Sequence, residues 1–189
     1  MEVYGLKVAV IFSVISFLIG GILGFYLYIN GLSPENVIGT FEDILQFFRP
    51  FKITTVLFVY VKNVVAVLIM WLLGFLFIIP SLISLGFNGY IIGYTITYLS
   101  FKFSLSFALA GILPHGVFEL PALILSGTAG VLAGFSTIKK ILAILGKGTW
   151  SLKYGAKQSF RLVKYSIILL IPAAIIEVFI TPIILEFFL

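Results

Sequence analysis

The chain contains no cysteine, and charged side chains are scarce in it. The absence of cysteine excludes disulfides, thiolate metal sites and a cysteine nucleophile. Asp, Glu, Lys and Arg make up 10% of the 189 residues, whereas a soluble domain has about a quarter. Because hydrophobic residues make up 61%, we predict an all-α polytopic membrane protein. This length accommodates about six spans of roughly 20 residues, so we expect residues 1–189 to form a single transmembrane domain.

Several motifs typical of soluble enzymes and nucleic-acid-binding proteins are also missing. The sequence has no glycine-rich phosphate loop, no serine nucleophile elbow and no aromatic platform for nucleic acid. The net charge of +5 does not indicate nucleic acid, because seven of the twelve basic residues lie between residues 139 and 164, beside membrane segments. Glutamine and asparagine are few and lysine outnumbers arginine, which is typical of a thermophilic source.

Apolar stretches define the predicted membrane segments. They lie near residues 7–29, 53–79, 82–101, 103–113, 117–138 and 162–186. From Ser33 to Pro50, apolar residues recur every three or four positions with charged residues opposite them. This pattern predicts an amphipathic helix that lies in the membrane interface. The basic stretch around Trp150 and Tyr154 predicts a second, looser interfacial element.

Small residues recur at a spacing of four within the predicted segments. Such spacing lets the backbones of neighbouring membrane helices approach closely. We therefore predict a tightly packed bundle. The residues concerned are Gly20 and Gly24, Gly89 and Gly93, and Ser126, Gly130 and Gly134.

The fourth stretch, 103–113, is too short to cross a bilayer squarely and ends at Pro114-His115-Gly116. It is either a short, tilted span or a re-entrant helix broken at these residues. With the 139–164 loop in the cytoplasm, six spans place ten basic residues inside and one outside, whereas five spans place eight inside and three outside. We therefore predict a multi-pass protein of the cell membrane with six spans, both termini outside and the 139–164 loop cytoplasmic. Residues 30 and 147 would then both face the cytoplasm.

Polar residues within the apolar segments mark the candidate site. His115 is the sole histidine, and Glu119 lies one helical turn beyond it. An ionisable residue within a bilayer is costly and therefore indicates a functional site. In the six-span topology, the helical rise brings Glu177 to the same outer half of the bilayer. The candidate catalytic residues are thus His115, Glu119 and Glu177, in a polar cluster with Asn63, Asn88 and Thr181.

Three interpretations of this cluster are open from the residues alone. His115 could cap a helix or bond a neighbouring carbonyl, while each glutamate bonds Asn63, Asn88 or His115 and so locks the bundle. The three candidate residues could instead line a water-accessible pocket. They could also bind a divalent metal, since imidazole and carboxylate suit zinc, iron or manganese, although a single imidazole makes a poor zinc site. The sequence assigns no cofactor, and it predicts that Lys62 either snorkels toward the interface or pairs with a carboxylate.

The stretch Leu113–Ala122, which reads LPHGVFELPA, resembles the signature of the stage II sporulation protein M family. This is a family of integral membrane proteins of bacteria and archaea. One departure is Lys62-Asn63, where the family often has two asparagines. Supporting matches occur in order along the chain: Asn63 before an apolar run, Asn88-Gly89 with Gly93, the small residues after Glu119, and Ala174 to Thr181-Pro182.

The resemblance implies importance for His115, Glu119 and Glu177, and a role as a membrane anchor or assembly platform. In spore formers the family member acts with cell-wall hydrolases during engulfment, and many relatives occur where there are no spores. We therefore expect an anchor or platform for membrane or envelope proteins, surrounded by lipid and not binding nucleic acid. The alternatives are an intramembrane hydrolase, metal-dependent or not, and a small transporter that uses the glutamates as a proton or ion relay.

Overall fold

The computed structural model describes residues 2–32, 49–146 and 152–188, and the side chains of all of these except residues 2–4 and 152–155. The regular structure in these ranges is helical, without strands, which confirms the predicted all-α class. In chain order the elements are α1 (Glu2–Ile29), α2 (Ile53–Leu76), α3 (Ile78–Lys102), α4 (Leu105–Ile144), α5 (Leu152–Ile175), a π-helical segment (Ile176–Ile180) and α6 (Thr181–Glu186).

Five helical stretches in the described ranges are long and apolar enough to cross a membrane, at residues 5–29, 53–76, 78–102, 105–144 and 156–186. Their outer faces carry large apolar side chains: Ile22, Ile79 and Val117 are 67%, 67% and 65% exposed. Exposed apolar surface of this extent marks a membrane-contacting protein. The chain is therefore a multi-pass membrane protein with lipid around the bundle.

The predicted count of six spans is wrong, because the two stretches on either side of Pro114 form one helix. α4 begins after Ser104, whose hydroxyl accepts a hydrogen bond from a backbone N–H in the first turn (3.0 Å). The helix then continues for 40 residues through Pro114 and Pro121. Each proline removes one helical hydrogen bond, whereas a break within hydrocarbon would leave several backbone groups unpaired at several kcal/mol each. Continuing the helix is the less costly solution.

We predicted a loop for the basic stretch 139–164, but the structure has helix at both ends of it. α4 extends to Ile144 and α5 begins at Leu152, so residues 145–151 alone separate the two helices. Lysine, leucine and alanine favour helix, and the solvated lysine side chains let a helix continue past its apolar part. The predicted interfacial helix from Ser33 to Pro50 lies almost entirely outside the described residues, as does Trp150.

Close backbone contacts hold the helices together, as the spacing of small residues predicted. A Cβ atom on Gly74 of α2 would meet the backbone of Gly130 of α4, and one on Gly93 of α3 would meet the backbone of Gly21 of α1. Hydroxyl groups add hydrogen bonds between helices. Ser126 Oγ of α4 donates to the Val67 carbonyl of α2 (2.5 Å), and Ser166 Oγ of α5 donates to the Ala122 carbonyl of α4 (2.7 Å). α2, α4 and α5 are therefore joined by hydrogen bonds and close backbone contact beside the candidate site.

Candidate functional site

The π-helical segment sets the position of Glu177. The Thr181 N–H donates to the carbonyl of Ile176, five residues back, rather than to the carbonyl of Glu177, four residues back. Pro182 follows and has no N–H, so the carbonyl of Val178 also loses its usual helical donor. Single π turns of this kind are frequent at functional sites. The segment contacts both α2 and α4.

The connection before α2 compensates for the missing donor. The N–H of Phe51 donates to the Val178 carbonyl (3.2 Å), and the Phe51 ring lies 6.4 Å from the Phe179 ring, measured between centroids. Phe51 has φ 60°, a left-handed conformation that costs a non-glycine residue about 1–2 kcal/mol. The Arg49 N–H bonds the hydroxyl of buried Thr55 (3.3 Å). Residues 49–52 thus clamp the π segment from the end of the bundle where α2 begins.

His115 and Glu119 contribute from α4. Because the helix continues past Pro114, the spacing of four residues places both side chains on one face. Nε2 of His115 lies 3.7 Å from Oε2 of Glu119, and the two side chains are 13% and 20% exposed. His115 lies ten residues after the start of α4, about 15 Å along the helix.

The structure brings Glu177 to these two residues. One ligand atom of each of the three side chains lies within 4.8 Å of the other two. We refer to His115, Glu119 and Glu177 as the triad. Thr181, which is 5% exposed, lies one turn beyond Glu177 and places Oγ1 3.4 Å from Nδ1 of His115. Four of the six sequence-predicted site residues therefore meet where α4 passes the π segment.

Lys62 of α2 completes the electrostatic environment of the triad. Its side chain is exposed at the bundle surface, and its charge acts on all three triad residues. Lys62 was predicted either to snorkel toward the interface or to pair with a carboxylate. Its exposed side chain lies within electrostatic range of Glu119 and Glu177, so it has features of both.

The two asparagines are placed differently from the triad. Asn63 is 8% exposed on α2, next to Lys62 in sequence, and the hydrogen bonds within the described ranges do not join its side chain to the triad. Asn88 donates from Nδ2 to the Ser84 carbonyl of its own helix (2.9 Å). α3 packs against α1, α2 and α4 rather than against the π segment. The hydrogen bond of the Asn88 side chain therefore lies within α3 and does not join this helix to the triad.

Two features of the site were missed from the sequence, namely the π segment and the clamp at residues 49–52. Pro182 offered a signal for both, because a proline inside an apolar helix frees the carbonyl four residues before it, here that of Val178. Tertiary contacts decide which N–H group donates a hydrogen bond to that carbonyl. Phe51 could not have been identified from local sequence.

The bundle and its triad define a multi-pass α-helical membrane protein with a partly buried histidine–carboxylate cluster. The profile of the family described as stage II sporulation protein M matches residues 13–182. The chain belongs to this family, as the stretch Leu113–Ala122 predicted.

Two relatives from the archaeon Methanocaldococcus jannaschii show similarity over most of the chain. The uncharacterized protein MJ0793 is 33% identical over 181 residues, which cover 94% of this chain and 96% of that protein. The uncharacterized protein MJ0706 is 28% identical over 153 residues, covering 81% of this chain and 68% of that protein. No solved structure matches the chain.

Proposed function

We propose that the chain is a membrane anchor or assembly platform for membrane or envelope proteins, in which the triad fixes the packing of α4 against the π segment. The observation that carries the proposal is the meeting of His115, Glu119 and Glu177 within 4.8 Å inside a bundle closed by backbone contacts. A platform needs a defined arrangement of helices, and polar side chains that meet in a low-dielectric interior favour the one arrangement that brings them together. The described ranges consist of membrane helices and short connections, which supports an organising role.

The orientation of the platform follows from its basic residues. With five crossings, the N-terminal end of α1 and the connection between α4 and α5 lie on one side. Lys7 and the seven basic residues between 139 and 164 belong to that side, eight in all, against Arg49, Lys52 and Lys102 on the other. The positive-inside rule then puts the basic side in the cytoplasm and the triad in the outer half of the bilayer. A depression of about 280 Å³ lined by Lys157, Phe160, Arg161, Lys164 and Tyr165 suits the headgroup region on that side.

Cysteines introduced for Asn30 and Leu145 are expected to react from opposite sides of the membrane. Three crossings (α2, α3 and α4) separate the end of α1 from the end of α4, whereas the six-span topology has four crossings between them and would place both positions in the cytoplasm. The measurement is labelling with a membrane-impermeant maleimide in intact cells and in inside-out vesicles. Since the chain has no cysteine of its own, each signal reports one position. Labelling of both positions from the same side would contradict the five-crossing topology.

The double variant Glu119→Gln/Glu177→Gln tests the platform itself. Glutamine retains the shape of glutamate and a polar end group, so we expect each substitution to change the free energy of unfolding by about 0.5–2 kcal/mol. Platform function should persist in proportion to the folded protein present. The measurements are thermal stability in detergent and complementation of a strain that lacks the chain, normalised to folded protein in the membrane. The exposed Glu186, changed to glutamine, is the matched control.

The ligand-like geometry of the triad favours one second candidate, an intramembrane hydrolase. Glu119 or Glu177 would act as the acid–base group, with His115 as its partner. The same double variant separates the two proposals, because glutamine cannot take up or release a proton. A folded protein whose function falls by orders of magnitude would contradict the platform and support the enzyme. A folded, active double variant would exclude the enzyme.

A further inference from the structure

We propose that the triad binds one divalent transition-metal ion through Nε2 of His115 and one carboxylate oxygen each of Glu119 and Glu177. Two ligands on a tetrahedral zinc ion at about 2.0–2.1 Å are about 3.4 Å apart. Nε2 of His115 and Oε2 of Glu119 are separated by 3.7 Å, and the ligand atoms of all three side chains lie within 4.8 Å of one another. The ligand atoms need to approach one another by up to about 1.4 Å to share an ion.

The donor set defines the class of ion. One imidazole and two carboxylates suit Zn²⁺, Mn²⁺ or Fe²⁺, and the absence of thiolates excludes the softer sites. Three protein ligands leave a coordination position for water or another small ligand. The spacing of His115 and Glu119 by four residues on one helix is also the spacing that puts two ligands on the same face.

Thr181 gives independent support from the opposite side of the imidazole. A histidine that binds metal through one ring nitrogen usually bonds a fixed partner through the other, which sets its tautomer and orientation. Oγ1 of Thr181 lies 3.4 Å from Nδ1 of His115, so Nδ1–H can donate to this hydroxyl. Nε2 is then the unprotonated nitrogen and faces Glu119. Thr181 acts as a positioning residue for the metal ligand.

The charges of the cluster agree with a bound cation. Glu119 and Glu177 are within electrostatic range of each other, so a cation between them would contact two carboxylates in a membrane interior. Lys62 compensates for one of the two charges from the bundle surface. A divalent ion compensates for the negative charges of both glutamates. The exposed side chain of Lys62 can then turn its ammonium toward the headgroups.

The test uses the full chain without a histidine tag, purified in detergent, stripped with a chelator and titrated with Zn²⁺ or Mn²⁺. We expect one ion per chain after removal of excess metal, and a thermal midpoint that rises by several degrees with saturating metal. Glu177→Gln should weaken binding by tenfold or more, and Thr181→Val by about tenfold. Glu186→Gln, at an exposed carboxylate on α6, should bind like the unchanged chain. Co²⁺ should give a visible absorption band that the Glu177→Gln variant lacks.

The Lys62→Gln variant distinguishes a metal site from a cluster held together only by ion pairing between Lys62 and the glutamates. If the triad binds metal, removing the lysine charge should tighten metal binding several-fold. A chain that binds no Zn²⁺ or Mn²⁺, or that binds equally after Glu177→Gln, would overturn the proposal. Should the triad variants fail to fold, the metal content of the unchanged chain and the response of Lys62→Gln still decide it. The platform proposal is tested separately by complementation, so either can fail alone.

Discussion

The Phe51→Pro variant is expected to lose about 2–4 kcal/mol of unfolding free energy, because it removes a hydrogen bond and cannot adopt the native backbone conformation. Proline fixes φ near −65°, whereas Phe51 has φ 60°. Proline also lacks the N–H that donates to the Val178 carbonyl at 3.2 Å. That carbonyl already lacks a helical donor because of Pro182. The measurement is the thermal midpoint in detergent, with an expected fall of about 5–10 °C.

Phe51→Gly is the matched control for this loss. Glycine keeps the N–H and adopts positive φ without strain, so the clamp on Val178 should persist. The ring contact with Phe179, 6.4 Å between centroids, is lost in both variants. A glycine variant as unstable as the proline variant would show that the ring, rather than the backbone hydrogen bond, holds the clamp. Equal stability of the proline variant and the unchanged chain would contradict the clamp altogether.

The consequence of this clamp extends to the triad. A carbonyl without a donor in hydrocarbon costs several kcal/mol, so without Phe51 the π segment would be expected to rearrange. Rearrangement toward a regular helix would rotate Glu177 relative to His115. The geometry of the candidate site therefore depends on a connection outside the membrane-spanning part of α2. Loss of metal binding in Phe51→Pro with retention in Phe51→Gly is the expected accompanying result.

The helical class and most helix positions could be predicted because apolar stretches in a bilayer leave the backbone few options other than a helix. The error in the number of spans arose at Pro114. In a soluble protein a Pro-His-Gly sequence ends helices, but within hydrocarbon the broken backbone has no water to bond. α4 continues through it, so three helices rather than the predicted four lie between residue 30 and residue 145. One proline thus decided the topology.

Part of the candidate site was also accessible to sequence reasoning. His115 and Glu119 share a face by spacing alone, and the depth of Glu177 followed from the helical rise. The contribution of Lys62 and the separate position of Asn88 depend on which helices pack together. Asn88 lies ten residues after the start of α3, about 15 Å from the end of the bundle opposite to the start of α4, and the neighbours of α3 exclude the π segment. Depth along a helix is readable from sequence, whereas rotation and neighbours require the packed bundle.

Gly74→Ala is expected to destabilise the bundle by about 1–3 kcal/mol, because its Cβ would meet the backbone of Gly130. A backbone cannot move aside as a flexible side chain can, so α2 and α4 must separate. These helices run in the same direction and carry Lys62 and Glu119 about 17 Å before the contact. The separation should therefore also weaken the electrostatic coupling between Lys62 and the triad. The measurement is thermal stability in detergent.

Gly116→Ala provides the contrast within the signature stretch. A Cβ on Gly116 would meet no atom closer than 3.8 Å, at the Ile112 side chain, which is an ordinary contact. Since alanine also favours helix over glycine, stability should stay equal or rise by up to about 1 kcal/mol. Equal damage from Gly74→Ala and Gly116→Ala would contradict the backbone contact as the cause. A Gly116→Ala variant that folds but loses function would mean that this glycine keeps space open beside His115 for a ligand or partner. Helix packing alone does not impose that requirement.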